Sequence, residues 1–227
     1  RPKIFVLENV KGFAVLDGGK YTKQVIQTLK GIRDGKSQSA YHIQCKVVNI
    51  NDHGVPHHRE RWYCVGFLRS IYPEGKNFSF PDAIACPPMS SVLGYLRPAK
   101  AVASETDEVQ RKITKAIEQA KDRGIDATKV PVIVDVDASM HKMTWRKEMS
   151  PCLTRSRYRG HWITTEQRRM SIQEMMRLQG IREDQIKNDN SEAEFGKQIG
   201  NSMSLNVVER ILFAILSTIG MLPENTC

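Results

Sequence analysis

Cysteine is scarce in this chain and shows no paired motif. Five residues at positions 45, 64, 86, 152 and 227 form no C-x-x-C pair and leave an odd number. Neither a zinc ribbon nor a disulfide framework is indicated, and a reducing, intracellular compartment fits better. Long apolar runs are missing too. The longest strongly apolar stretch, residues 211–222, is too short for a membrane span and is interrupted by Ser217, Thr218 and Gly220, so no membrane partner is expected. No signal peptide is visible, and the chain begins at Arg1 rather than at a methionine, which reads as a piece cut from something longer. Repeats and low-complexity tracts are absent. Acidic residues are in deficit, 25 against 34 lysines and arginines, giving a formal +9 and a pI near 9.4. That balance favours a polyanionic partner such as nucleic acid, although a solvated basic face would give the same total. The 227 residues suit one large domain or two small ones.

What is present begins with Ile4-Phe5-Val6-Leu7, an apolar, β-prone run that stops at Glu8-Asn9-Val10 and Gly12. Such a run reads as a strand buried on both faces of a parallel sheet, with Glu8 at its carboxyl end. Tyr21, Val25, Leu29 and Ile32 recur at helical spacing, and Gly31, Gly35 and Lys36-Ser37-Gln38-Ser39 end that helix. Residues 41–50 and 62–67 are β-rich, joined by the turn Asn51-Asp52-His53-Gly54-Val55-Pro56. Residues 68–89 lose periodicity, which puts a boundary near residue 70. Residues 104–124 predict an amphipathic helix with Val109, Ile113, Ala116, Ile117 and Ala120 on one face, acids at its start and Gly124 at its end. Residues 130–136 read as a strand. Ser171-Ile172-Gln173-Glu174 fits a capping box, with Gly180 as the stop. Leu205, Val208, Ile211, Leu212 and Ile215 mark a final helix.

Candidate chemistry is spread along the chain. In open α/β sheets ligands bind outside the carboxyl ends of strands, so Glu8 stands where a catalytic acid would be placed; a turn cap is the ordinary alternative. Arg59 and Arg61, leading into the second β-rich run, share a face at period two with Glu60 opposite. Two such guanidiniums suit a phosphate or a carbonyl oxygen, and a surface Arg-Glu-Arg ladder is the alternative. His53, His57 and His58 have no partner pair at metal-ligand spacing, so no metal is expected. Gly200-Asn201-Ser202 reads as a small polar turn before the last helix, for a ligand or simply for a cap.

In their order these pieces resemble the DNA cytosine-5 methyltransferase family. Phe5-Val6-Leu7-Glu8-Asn9-Val10-Lys11-Gly12 looks like its F-x-x-E-N-V-x-G block, and Gly54-Val55-Pro56-His57-His58-Arg59-Glu60-Arg61 like G-V-P-Q-x-R-x-R. Pro151-Cys152-Leu153-Thr154, then Arg169-Met170-Ser171-Ile172-Gln173-Glu174-Met175-Met176-Arg177-Leu178-Gln179-Gly180, are similar to P-x-x-T and R-x-L-T-x-x-E-x-x-R-L-Q-G. Gln198-Ile199-Gly200-Asn201-Ser202 looks like the closing G-N-S block. Two departures stand out: His57 replaces the usual Gln, and no F-x-G-x-G loop or P-C-Q block is found. Cys152 lies in the P-x-x-T element, the wrong place for the nucleophile.

The resemblance implies an α/β fold: the C-terminal part of a Rossmann-like, S-adenosylmethionine-dependent methyltransferase sheet with a smaller, irregular target-recognition domain. Residues 1–70 would be the catalytic half, 71–197 the target-recognition domain and 198–227 a returning helix. It also implies the chemistry. A cysteine adds to C6 of a flipped-out cytosine, a glutamate donates to N3, and C5 takes a methyl group from S-adenosylmethionine. Glu8 would be that glutamate if burial keeps it protonated, Arg61 would bind O2, and Arg59 would support it. Asn201 and Ser202 would touch the cofactor, while Arg155, Arg157 and Arg159 would contact double-stranded DNA. The nucleophilic cysteine would come from a missing N-terminal segment or a partner chain, leaving this stretch inactive alone. The expected setting is the nucleus in a eukaryote, or the cytoplasm and nucleoid in a bacterium. The alternatives are a tRNA cytosine-5 methyltransferase, or a non-catalytic DNA-binding or regulatory subunit of a split enzyme.

Overall fold

The computed structural model describes residues 1–35, 38–94 and 105–222. Lys36, Ser37, Ser104 and Cys227 lie outside them. In chain order the elements are β1 (Ile4–Val10), α1 (Lys11–Val15), α2 (Lys20–Gly31), β2 (Tyr41–Asn49), β3 (Glu60–Leu68), α3 (Asp107–Asp122), β4 (Val132–Val134), β5 (Trp145–Lys147), β6 (Trp162–Ile163), β7 (Arg168–Arg169), α4 (Ile172–Arg177), α5 (Glu192–Asn201) and α6 (Leu205–Thr218). They divide into two compact units. One holds residues 1–49, 60–83 and 208–227; the other holds 50–59 and 84–207.

In the first unit a three-stranded sheet runs β1-β3-β2, antiparallel throughout. This corrects the expectation of a parallel strand buried on both faces. β1 pairs only with β3 among the described residues, and Val6, Leu7 and Val10 remain 38–50% exposed. An apolar β-prone run reports propensity and capacity for burial; it carries no information on the direction of its neighbour. The strand buried on both faces is β3. On one side Phe13 meets Trp62 edge-on at 5.5 Å, and the Phe5 ring occupies the space beside Gly66, where any Cβ would overlap it. On the other, Phe67 packs against Tyr72 and Phe78 at 5.1 and 5.3 Å, from the irregular stretch that follows β3. Sheet faces alternate with residue number, so the Phe67 face also carries Tyr63 and Arg61.

The second unit contains a four-stranded antiparallel sheet, β5-β4-β6-β7, with α3 against it. Thr106 caps α3 by accepting the Val109 N–H, Asp107 and Glu108 fill its first turn, and Gly124 leaves it at φ +72°. Val109, Ile113, Ala116 and Ala120 bury against Val132, Val134, Val136 and Trp162. Ile117 stays exposed at the margin of the stripe. The capping box at Ser171 and Glu174 is formed in both directions. Glu174, fully buried, also takes a bidentate pair from Arg168 at 2.8 Å and the Gly94 N–H at 3.1 Å. Arg168 holds the carboxyl of Glu174 below its usual range against the opposing effect of burial.

A second correction concerns residues 192–201. The predicted polar turn Gly200-Asn201-Ser202 is the end of α5, a helix whose N-terminus Ser191 caps by accepting the Glu194 N–H. Gly196 and Gly200 argue against a helix by propensity, yet here they are required by contact. A Cβ on either would run into the backbone carbonyl of Tyr158 or Thr154. Residues 192–218 have the composition of a membrane span but fold as two helices of 10 and 14 residues, broken at 202–204. Along α6 the buried stripe is Val207, Ile211 and Ile215; Leu212, expected on it, is exposed.

Candidate active site

Glu8 and Arg61 meet in the first unit. The register places Glu8 opposite Tyr63 and Val10 opposite Arg61, so the two lie diagonally on one face of the sheet. Arg61 Nε is 3.1 Å from Glu8 Oε1, and their side chains keep 12% and 24% exposure. Glu8 is thus a partly covered carboxylate with an open approach, beside a guanidinium anchored by its own donation to the Glu60 carbonyl at 2.8 Å. At the end of β1 the Val10 N–H donates to Asn9 Oδ1 at 2.8 Å and α1 starts directly at Lys11, while among the described residues the Glu8 carboxylate contacts Arg61 rather than a backbone N–H. Turn capping therefore does not account for Glu8. Glu60, on the opposite face from Arg61, is taken by Lys11 at 2.7 and 2.8 Å, which leaves Glu8 as the carboxylate beside Arg61.

Arg59 does not continue that arrangement. β3 starts at Glu60, so the period-two argument has no strand to act on at Arg59. In the second unit Arg59 is 3% exposed and donates to the backbone carbonyls of Leu153, Gly200 (3.2 Å) and Ser202 (2.8 Å). Two of those carbonyls lie at the C-terminal end of α5, where unsatisfied acceptors and the negative end of the helix dipole favour a cation. Cys152 is half-buried, its sulfur 3.8 Å from the same guanidinium. His57, fully buried, works alongside. Its Nε2 accepts the Leu153 N–H at 3.0 Å, which assigns the proton to Nδ1, and Nδ1 lies 2.9 Å from the Leu178 carbonyl. With one acceptor and one donor, the His57 ring ties the backbone at Leu153 to that at Leu178.

The two residues read as cofactor contacts differ. Asn201 is exposed on the last turn of α5. The hydroxyl of Ser202 donates to the Ile199 carbonyl at 2.8 Å, and its own carbonyl serves Arg59. Among the arginines read as DNA contacts, Arg155 is exposed, Arg157 is paired with Asp135 at 2.9 Å, and Arg159 lies 3.6 Å from Glu105. Arg169 closes the same network between Glu105 (2.6 Å) and Asp137 (2.9 Å). Much of the basic run from 142 to 169 is therefore neutralised internally. Lys142 and Lys147, around the β4–β5 hairpin, are exposed. Beside this network His161 is fully buried, and burial pushes its pKa down, with Arg157 acting in the same sense and Asp135 and Asp137 against it. Among the described residues no three His, Cys, Asp or Glu side chains converge as metal ligands.

The antiparallel sheets together with their helices make an α/β methyltransferase fold. It is similar to the S. pombe Dnmt2 methyltransferase (TM-score 0.60, 17% identity, 95% of this chain and 67% of that one). It is also similar to a putative DNA modification methyltransferase encoded within a prophage of E. coli (TM-score 0.59, 18% identity, 96% and 70%). The model of the C-5 cytosine-specific DNA methylase family matches residues 1–217, and the chain belongs to that family. Among curated relatives it is 30% identical over 212 residues to Type II methyltransferase M.NgoBI of Neisseria gonorrhoeae, covering 92% of this chain and 59% of that protein. It is 26% identical over 229 residues to M.HhaI of Haemophilus parahaemolyticus, covering 98% and 66%. The chain thus spans about six tenths of the length of the curated relatives it matches.

Proposed function

We propose that this chain is the base-positioning and DNA-holding part of a cytosine-5 methyltransferase acting on double-stranded DNA. The observation that carries this reading is the Glu8–Arg61 pair: a carboxyl oxygen and a guanidinium nitrogen 3.1 Å apart, partly open, on one sheet face. O2 and N3 are adjacent on the pyrimidine edge. A cationic donor beside a carboxyl group addresses both at once, Arg61 at O2 and Glu8 at N3, with the base extruded from the helix. When a thiolate adds to C6, electron density moves into the ring. A proton held at N3 by Glu8 and a fixed positive charge at O2 lower the energy of that adduct. Once C5 has gained its methyl group, loss of the C5 proton and elimination of the thiolate from C6 restore the aromatic ring.

The family implies S-adenosylmethionine, which would supply the methyl group. The exposed amide of Asn201 fits a contact with so polar a ligand, whereas the hydroxyl of Ser202, spent on Ile199, holds the turn. The 227 residues contain no P-C-Q or F-x-G-x-G block, so the nucleophile and main cofactor loop would come from residues beyond these or from another chain. Residues 1–70 with 198–227 would form the catalytic part and 71–197 the target-recognition part, working inside the cell, in nucleus or nucleoid.

The test is transfer of labelled methyl groups to duplex DNA, with tRNA as the second substrate, by the protein together with its complementing segment. Glu8→Gln should lower the rate by about 10²–10⁴, the usual contribution of a general acid. Unchanged turnover removes Glu8 from the mechanism, and transfer to tRNA alone replaces the substrate.

A further inference from the structure

Two thiols face each other across the sheet of the first unit. β2 and β3 pair with unbroken register from Tyr41 opposite Leu68 to Asn49 opposite Glu60, which sets Cys45 directly opposite Cys64. Hydrogen bonds at the two ends of this ladder give its phase: the Arg69 N–H donates to the Ala40 carbonyl at 2.9 Å, and the Ile50 N–H to the Arg59 carbonyl at 3.2 Å. Bonded pairs alternate with non-bonded ones, so those with even-numbered β2 residues exchange backbone bonds and Cys45–Cys64 is a non-bonded pair. At such positions Cα atoms lie about 4.5 Å apart and side chains are closest. A disulfide spans about 4.4–6.8 Å between Cα atoms, so this pairing brings the two thiols within reach of one.

The surroundings make the two sulfurs unequal. Cys45 is half-buried and Cys64 fully buried, so a reagent from solvent meets Cys45 first. The hydrogen bond from the Cys64 thiol and the Lys30 ammonium on α2 hold the Cys45 thiol below its usual range despite partial burial. The same contact, with burial, pushes Cys64 up. A lowered thiol beside a resolving thiol is the arrangement that reacts with peroxides. Both lie on the Trp62 side of the sheet, opposite the face of Glu8 and Arg61. The proposed methyl-transfer chemistry does not use them.

We propose that Cys45 and Cys64 form a redox-active cross-strand dithiol, which hydroperoxides oxidise to an intramolecular disulfide joining β2 to β3. The Cys45 thiolate attacks one peroxide oxygen; the O–O bond breaks, hydroxide leaves and takes up a proton, and Cys45 becomes a sulfenic acid. The Cys64 sulfur then attacks the Cys45 sulfur. The S–S bond forms, the S–O bond breaks, and water departs with the Cys64 proton. Two thiols lose two electrons, and hydrogen peroxide becomes two molecules of water.

The test treats the reduced, intact protein with stoichiometric hydrogen peroxide under native conditions, alkylates the remaining thiols and maps peptides by mass spectrometry without reduction. The expected product joins the Cys45 and Cys64 peptides, two hydrogens lighter than their sum, while Cys86 and Cys152 remain alkylated. Cys45→Ser should abolish the cross-link and leave Cys64 a thiol. Because a substitution at Cys64 can prevent folding, the second arm uses the parent protein with phenylarsine oxide, which requires two neighbouring thiols and should be retained on this pair. Oxidation of Cys45 to a sulfinic acid with Cys64 untouched, or disulfides to Cys86 or Cys152 instead, overturns the proposal.

Discussion

Replacing Arg59 by methionine separates a brace from a substrate contact. The substitution keeps the stem and removes a guanidinium that is 3% exposed and serves the carbonyls of Leu153, Gly200 and Ser202. A hydrogen bond to a charged donor contributes about 1.5–3 kcal/mol, and each buried carbonyl left without a donor costs about 1–3 kcal/mol. Against these stands the desolvation of the guanidinium, several kcal/mol that the variant no longer bears. The net loss is about 3–5 kcal/mol, a large part of a typical total stability of about 5–15 kcal/mol. Urea unfolding followed by circular dichroism should show the midpoint falling with an unchanged slope. Hydrogen exchange should quicken at the end of α5, where the braced carbonyls lie. If stability stays within about 0.5 kcal/mol of the parent while methyl transfer is lost, the reasoning is wrong and Arg59 acts on the substrate.

Gly200→Ala forces a Cβ into the Thr154 carbonyl and should cost about 1–3 kcal/mol in thermal unfolding, whereas Gly31→Ala, with nothing within 4 Å, should change stability little. His161 predicts loss of stability on acidification. Its folded-state pKa lies below the ordinary 6.5, so the unfolded chain binds the extra proton, and stability falls as pH drops below 6.5, by up to about 1.4 kcal/mol per pH unit. His161→Gln should flatten that part of the pH profile; an unaltered profile assigns the loss elsewhere. If the protein binds DNA as proposed, Lys142→Ala should reduce the salt slope of binding by about 0.9, while Arg157→Ala, which breaks the Asp135 pair, should mainly lower the unfolding midpoint. The reverse ranking would mean that Arg157, not Lys142, meets phosphate.

The capping box at Ser171 and the acid-started helix from Thr106 were legible because their causes are local: a hydroxyl three residues before a carboxylate, and an apolar stripe at period 3.6. The antiparallel placement of β1 was not legible, since strand direction depends on which chain segment returns beside it. Nor was α5. Gly196 and Gly200 lower helix propensity, and only the backbone of residues 154–158, brought against them by folding, gives those glycines a reason.

The candidate site divides in the same way. Four blocks in family order, Glu8 at the end of a β-prone run and a basic excess are properties of the chain as written, and the family match over residues 1–217 agrees with them. Tertiary structure alone decided which charges remain available. It set Glu8 against Arg61 through a cross-strand diagonal, gave Arg59 to three carbonyls, and paired Arg157 and Arg169 with acids 22 to 64 residues away. A sequence states which groups carry charge; whether a charge faces a ligand or a buried partner depends on contacts between residues far apart along the chain, and those exist only once it has folded.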